Sequence, residues 1–519
     1  MTPQEWSFAA QLDELEEGEP RTVEADGEKI LLLRHGNRIH ACGPRCTHWS
    51  YPLERGVAED TTITCPWHGA RFDAETGKAT GSPAITDIGC YPVKIEDGKV
   101  YVGCRTGPEV AGASGTDRRD FVIVGSGAAG IAAASTLRRE GFGGSIRVVS
   151  RESELPYDRT LLSKQFLQGH APSDWLRLHP AEFYDQHDIE LLSGRSAVGL
   201  DPGAKALQLD DGNSLHYDAL LCATGSEPTH LPIPGTDLDR YYRLRTMKDA
   251  TQLRDSLADA ERAVTLGAGF ICLELASTLL KQGVDVQVVA PETVLLEPVF
   301  GERIGRWLQR RHEVEGVTFH LGHTPNEVRG SGSVEELVLD DGKVLQADMV
   351  ISGVGVRPSV EWLENSGIEQ EQIVPVDNRL ETRAEDVYAA GDMAAVPSPL
   401  SGRPRRTEHW AEAQQQASHA ARMMMGYDEP YRGIPFFWTE QAGESLKYVG
   451  ESTKWNDVVF RGSLDEGEFL AGYYADNMLK AACASGMDEE LLAFRRLLES
   501  SNNPRPEELK NADSIAALA

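Results

Sequence analysis

Two short segments carry residue types suited to metal chemistry. Cys46-Thr47-His48 is followed, after sixteen intervening residues, by Cys65-Pro66-Trp67-His68. Each loop offers one thiolate and one imidazole. Two thiolates on one iron and two neutral imidazoles on the other would hold a [2Fe–2S] unit. A tetrahedral zinc ion also accepts two Cys and two His. Zinc fingers, however, usually place both cysteines in one loop and both histidines on a helix. Here each loop supplies one of each, inside a strand-rich segment. Five of the eight cysteines (Cys42, Cys46, Cys65, Cys90 and Cys104) fall in the first 105 residues, which again points to a cluster site there.

A second chemistry is written in glycines. Gly125-x-Gly127-x-x-Gly130 follows the apolar run FVIV and opens a helix of small residues, with Glu152 22 residues past Gly130. Glycines there let backbone approach a pyrophosphate, the helix N-terminus favours its charge, and the acid can bond a ribose hydroxyl. The plan recurs at Gly267-Ala268-Gly269-Phe270-Ile271-Cys272, where cysteine replaces the third glycine. That glycine serves close helix–strand packing, so the substitution predicts slightly looser packing with the phosphate site kept. After the second strand come Ala290-Pro291-Glu292, with no Arg or Lys from 290 to 300. A 2′-phosphate would meet no counter-charge, and Glu292 is the nearest acid. The expected reductant is NADH, with NADPH as the alternative.

These residues need elements to position them. Residues 1–105 read as all-β: short apolar runs alternate with turn signals such as His35-Gly36-Asn37 and Asp97-Gly98. Residues 106–118 are rich in Gly, Ser and Thr and read as a linker. Two strand–glycine–helix–strand units follow. They predict two dinucleotide-binding domains, one in two parts (119–240 and 351–426) around another at 241–350. Residues 427–519 mix aromatic strand-like pieces with one helix, DEELLAFRRLLESS, and read as a C-terminal α+β domain. The expected fold is multidomain: an all-β domain, two α/β dinucleotide-binding (Rossmann-like) domains and the α+β domain.

Several motifs resemble known families. CPWHGARFDAETG (65–77) resembles the second loop and strand of Rieske ferredoxins. Respiratory Rieske proteins carry an extra disulfide across the two loops; Tyr51 and Trp67 stand at those positions here, and Cys42 and Cys90 have no clear partner. The resemblance is to the disulfide-free, oxygenase-type ferredoxins, which implies a potential near about −150 mV. LPYDRTLLSK (155–164), CATGSEP (222–228), YAAGDMA (388–394), TEHWAEAQQQASHAA (407–421) and PFFWTEQAG (435–443) together resemble FAD-dependent ferredoxin reductases and the apoptosis-inducing-factor family, in particular its members with an N-terminal Rieske domain. That resemblance implies that Arg159 and Lys164 lie near the flavin, that Asp392 binds its ribityl–phosphate part, and that Trp410 lies by the ring. It also implies a Lys164–Glu274 pair, with Phe270 shielding the nicotinamide. For Trp410 and Trp438 a plain core role is the alternative. Glutathione-reductase relatives carry a C-x₄-C redox disulfide after the first glycine motif. Between Cys104 and Cys222 this chain has no cysteine, so dithiol exchange at the flavin is not expected.

Composition narrows the partners. There are 51 Lys and Arg against 81 Asp and Glu, a formal net charge of −30, which argues against nucleic acid. No run approaches 18 apolar residues, so no membrane span is expected. The N-terminal stretch MTPQEWSFAAQLDELEEGEP lacks the basic and apolar regions of a secretory signal. A cytoplasmic location and reduced thiols follow. The parts add up to an NADH-dependent FAD oxidoreductase that passes electrons to its own cluster and on to an oxygenase, ferredoxin or cytochrome. A self-contained oxidoreductase for a small acceptor and a redox-signalling protein are the alternatives. The terminal acceptor and the oligomeric state are not written in the sequence.

Overall fold

The computed structural model describes residues 6–106, 115–452, 454–500 and 502–518. Most of the linker expected at 106–118 lies outside the described residues. Among the described residues, no helix is long and apolar enough to cross a membrane.

The N-terminal region is all β, in three small sheets. Asp97 and Gly98 take positive φ (49° and 72°) between strands Val93–Glu96 and Lys99–Val102, the twist-matched two-residue hairpin that Asp-Gly favours. The sheet that carries the second cysteine–histidine loop runs Val57–Glu59, Thr62–Thr64, Arg71–Asp73, Ala79–Gly81. Strands Arg38–Cys42 and Cys90–Tyr91 pair so that Cys42 stands opposite Cys90. The two residues without a clear partner in the sequence are therefore neighbours, and all eight cysteines are free thiols.

Each glycine motif sits at the centre of a five-stranded parallel sheet. In the first, the order is Ile189–Ser193, Ser145–Ser150, Asp120–Val124, Ala219–Cys222, Val387–Ala389. The last of these strands arrives from more than 160 residues downstream and closes the sheet edge. The second sheet runs Tyr241–Tyr242, Met349–Ser352, Arg262–Leu266, Asp285–Ala290, Thr318–Leu321. The strands are near-continuous apolar runs because helices cover such sheets. The C-terminal region is a five-stranded antiparallel sheet from Phe436–Gln441 to Asp457–Ser463, packed against helix Asp488–Glu499.

The glycines do what close packing demands. Gly125 has φ +115°, and a Cβ there would lie 2.2 Å from the Ala223 carbonyl oxygen. A Cβ on Gly130 would lie 1.8 Å from the Gly125 carbonyl oxygen, so helix Ala128–Arg139 rides directly on its own turn. In the second unit Cys272 fills the Gly130 place and is itself buried. Its Sγ donates to the Leu266 carbonyl at 3.3 Å and occupies the space over Gly353, where a Cβ would meet it at 2.4 Å. The missing glycine in the motif is offset by a glycine on the adjoining strand end. Gly353→Ala is accordingly expected to cost about 1–3 kcal/mol, the range for overpacking. In a thermal-unfolding double-mutant cycle, Cys272→Gly should recover most of that cost; a strictly additive cycle would contradict the contact.

Candidate functional site

The two cysteine–histidine loops are tight backbone turns. Ser50 N donates to Cys46 O at 2.8 Å, and Cys46 N to Tyr51 O at 2.9 Å. Gly69 N donates to Cys65 O at 3.0 Å, and Cys65 N to Ala70 O at 2.8 Å. These turns bring Cys46, Cys65 and His68 together as buried side chains, with His48 beside them. His48 Nδ1 faces His68 Nδ1 at 3.2 Å. The hydrogen bond between the two thiols, with burial added, raises Cys46, and the same hydrogen bond lowers Cys65. The thiols form one pole and the imidazoles another. Among the described residues, the one group of three or more ligand types whose donor atoms all lie within 4.8 Å is exposed His323, Asp340 and Asp341. The four loop residues therefore do not converge on a single ion, as tetrahedral zinc would require. A thiolate pair and an imidazole pair held apart fit a two-iron cluster. Burial first, then His48 and Lys447, hold His68 well below the usual imidazole range, so the ring is the neutral form a metal needs.

Behind the imidazoles lies a cavity of about 800 Å³. Gly127 opens onto it with nothing within 4 Å of a Cβ position, and helix Ala128–Arg139 begins there without a side-chain cap or an acid in its first turn. That is the room and polarity a pyrophosphate needs. Glu152 and Arg159 line the same cavity and are ion-paired to each other, and Tyr157 Oη donates to Glu152 at 2.5 Å. Burial alone would raise Glu152; Arg159 and Tyr157 outweigh it and lower it. Arg151 pairs with Glu227, and both also line the cavity. Asp392 accepts from Ser226 Oγ at 2.6 Å and from Arg245 at 3.3 Å. Trp410 lines the cavity at the start of helix Trp410–Met424. The set fits FAD: an open glycine turn at one end, aromatic and polar walls at the other.

Lys164 and Glu274 meet at the far wall. Lys164 lies in a π-helical turn, Leu162–Phe166. Glu274 lies one turn into helix Phe270–Lys281, so its i+4 relation to Phe270 puts both on the cavity face. The lysine Nζ donates to Glu274 Oε2 at 2.8 Å. Ser163 Oγ donates to the same oxygen at 2.7 Å, and Thr439 Oγ1 donates to Oε1 at 2.9 Å. Phe270 stands beside this group, in edge contact with Phe437. Gly269 also opens into the cavity. Gly267 (φ +102°) packs its turn against the Gly353 carbonyl. Glu292 does not line this cavity; it is exposed on the loop after Asp285–Ala290, with its carbonyl accepting Gly322 N at 3.1 Å.

Strand Phe436–Gln441 joins the two sites. Alternating residues serve opposite faces. Trp438 lines the cavity and also packs on His68, ring centroids 4.3 Å apart, and on His48 at 5.8 Å. Further contacts hold the N-terminal domain against the rest of the same chain. His48 Nε2 lies 3.6 Å from buried Asp158. Lys447 Nζ donates to the Pro66 carbonyl at 3.0 Å, and Arg71 pairs with Glu499. Gly69 (φ +75°) lets the second loop lie on Phe436 and Arg495. Sequence reasoning missed Arg245, Lys447 and Arg495, because nothing in their local sequence marks them, and Asp158, which lies in the LPYDRTLLSK segment but was not singled out there. Trp438 carried the signal of the resembling segment PFFWTEQAG, with a plain core role as the alternative.

Comparison with known proteins agrees with this geometry. The Rieske [2Fe-2S] domain matches residues 5–92, the pyridine nucleotide-disulphide oxidoreductase family residues 119–417, and the reductase C-terminal domain residues 436–517. The chain is 34% identical to Apoptosis-inducing factor 3 of Mus musculus, over 96% of this chain and 84% of that one. It is also 34% identical to the benzene 1,2-dioxygenase system ferredoxin–NAD(+) reductase subunit of Pseudomonas putida, over 76% of this chain and 95% of that one. The ferredoxin reductase for the CYP199A2 system from Rhodopseudomonas palustris superposes with TM-score 0.74 at 32% identity, over 77% of this chain and all of that one. The covalent putidaredoxin reductase–putidaredoxin complex gives TM-score 0.75 at 28% identity, over 78% of this chain and 98% of that one. The chain belongs to the pyridine nucleotide-disulphide oxidoreductase family, as an NAD-dependent flavoprotein oxidoreductase of the ferredoxin-reductase type that carries its own Rieske [2Fe-2S] domain.

Proposed function

We propose that one internal electron route runs through the chain, from NADH to FAD, to the chain's own cluster, and out to a one-electron acceptor protein such as an oxygenase, a ferredoxin or a cytochrome. One observation carries it: Trp438 lines the flavin cavity and packs on the cluster ligand His68 within a single polypeptide. Bound FAD supplies the conversion between two-electron hydride chemistry and single-electron release.

The chain's residues do the rest. Gly125, Gly127 and the uncapped helix start hold the pyrophosphate, and Asp392 with Arg245 holds the polar middle of the dinucleotide. Trp438 fills the space between cavity and imidazoles and excludes water there. Lys164 presents a fixed ammonium beside the position where negative charge develops during hydride transfer. Glu274 positions that ammonium. The absence of Arg or Lys across 290–300 favours NADH. The relatives named as ferredoxin–NAD(+) reductases of dioxygenase systems support an oxygenase-linked acceptor. The free thiols suit the cytoplasm. The likeness to Apoptosis-inducing factor 3 supports a second reading, redox signalling; a long-lived reduced flavin–NAD complex with slow turnover on every added acceptor would favour it.

Anaerobic NADH titration followed by optical and electron paramagnetic resonance spectra tests the route. Both flavin and cluster bands should bleach in one chain, at a rate independent of protein concentration. In Trp438→Leu, flavin reduction by NADH should persist while cluster reduction slows; equal cluster rates in variant and wild type would sink the bridging role. Lys164→Met should slow flavin reduction by about ten- to a thousandfold, the scale for removing one preorganised charge-stabilising donor, with FAD still bound. Stopped-flow absorbance at the flavin band reads this, and an unchanged rate would reduce the pair to a structural one. NADH should exceed NADPH in steady-state kcat/KM. The reverse ratio would mean that a basic residue from another segment reaches the 2′-phosphate.

A further inference from the structure

We propose that Lys447, in the C-terminal domain, sets the redox poise of the Rieske cluster through the backbone of its second ligand loop. The inference rests on the internal route above and adds a positioning residue to it.

Lys447 stands in strand Glu444–Gly450, opposite Trp438 in the antiparallel register. It is only 3% exposed. Its Nζ donates to the carbonyl of Pro66, the residue after the ligand Cys65, at 3.0 Å. Its counter-ion is Asp488 at 2.5 Å, whose side chain is 34% exposed against 4% for the lysine. Asp488 is also the first residue of helix Asp488–Glu499, where the helix N-terminus and water both offset its negative charge. The ammonium is thus sealed against the cluster loop, while the carboxylate faces the screened side. A hydrogen bond to a carbonyl needs only a neutral donor. Burying an ammonium there is costly, and what it adds is a fixed positive charge.

That charge acts on one state of the cluster more than the other. Two ferric ions, two sulfides, two thiolates and two neutral imidazoles sum to zero charge. Accepting one electron, from the flavin, makes the unit singly negative. A buried cation on the Cys65–His68 loop favours the reduced state, and Coulomb interactions are strong where water is excluded. The other ionic side chains near the loops are Arg495 and Arg71, which share Glu499, Lys164, which pairs with Glu274, and Asp158, 3.6 Å from His48; none of them donates to the ligand-loop backbone as Lys447 does. By reciprocity, a contact that favours reduction is itself strengthened by reduction, by the same factor.

The test is a chemical redox titration of the full holoenzyme, with mediators and dithionite, read by the electron paramagnetic resonance signal of the reduced cluster. Lys447→Met should lower the equilibrium constant for cluster reduction about tenfold, the scale of one charge-assisted hydrogen bond, and Lys447→Arg should restore most of it. Asp488→Asn should shift it the opposite way, because the ammonium then lacks its counter-charge. A structural role for the ion pair would move both variants in the same direction or neither, and either result overturns the proposal. Should Lys447→Met lose the cluster, the sign of the Asp488→Asn shift decides alone. The reductant is chemical, so an NADH-independent shift speaks to Lys447, whereas failure of NADH to reduce the cluster would count against the route instead.

Discussion

The carboxylate of Glu274 holds the molecule's working centre together. It is 7% exposed and accepts from Ser163, Lys164 and Thr439. Those donors come from two remote segments: the π-helical turn beside the flavin cavity and the C-terminal strand. Glu274 itself belongs to the helix of the nicotinamide unit. A buried carboxylate must be paired and fully hydrogen-bonded, and removing its cation costs about 3–5 kcal/mol. One charge therefore obliges three parts of the chain to meet at a fixed geometry.

The strand that Glu274 anchors also sets the relation between the two redox sites. Thr439 bonds the carboxylate, and the preceding residue, Trp438, touches His68. Alternation along a strand puts these neighbours on opposite faces. The same five-stranded sheet carries Lys447 to the Pro66 carbonyl. The N-terminal domain is thus held by contacts clustered around its ligand loops. That arrangement leaves little of either imidazole exposed and keeps His68 neutral.

The two dinucleotide units show how a local rule can be broken and made good elsewhere. Both place their first glycine in a positive-φ turn pressed against a neighbouring carbonyl, and both leave the second glycine open to the cavity. They differ at the third. Gly130 meets its own turn directly, whereas Cys272 is accommodated because residue 353 has no side chain. The compensation lies 81 residues away, so it belongs to the sheet rather than to the motif.

Much of the site was legible from local pattern. Cys46, His48, Cys65 and His68 declare themselves because two tight loops can present a thiolate and an imidazole only at such short spacings. The glycine turns declare themselves because few other sequences allow a backbone to approach a pyrophosphate. Resemblance pointed to Lys164 and Glu274. The long-range facts were not legible. Cys42 faces Cys90 only because two strands 48 residues apart pair in that register. The one-Cys, one-His make-up of each loop already argued against zinc, and the facing imidazoles, Nδ1 to Nδ1 at 3.2 Å, agree with that reading. Arg245, Lys447 and Arg495 lie in ordinary-looking segments, and they, like Asp158 within LPYDRTLLSK, acquire meaning from what packs against them. Local sequence determines which chemistry each loop can perform, because bond geometry and side-chain type act over a few residues. Which loops meet, and which buried charge faces which ligand, is decided by burial and pairing across hundreds of residues, and that information exists only in the folded chain.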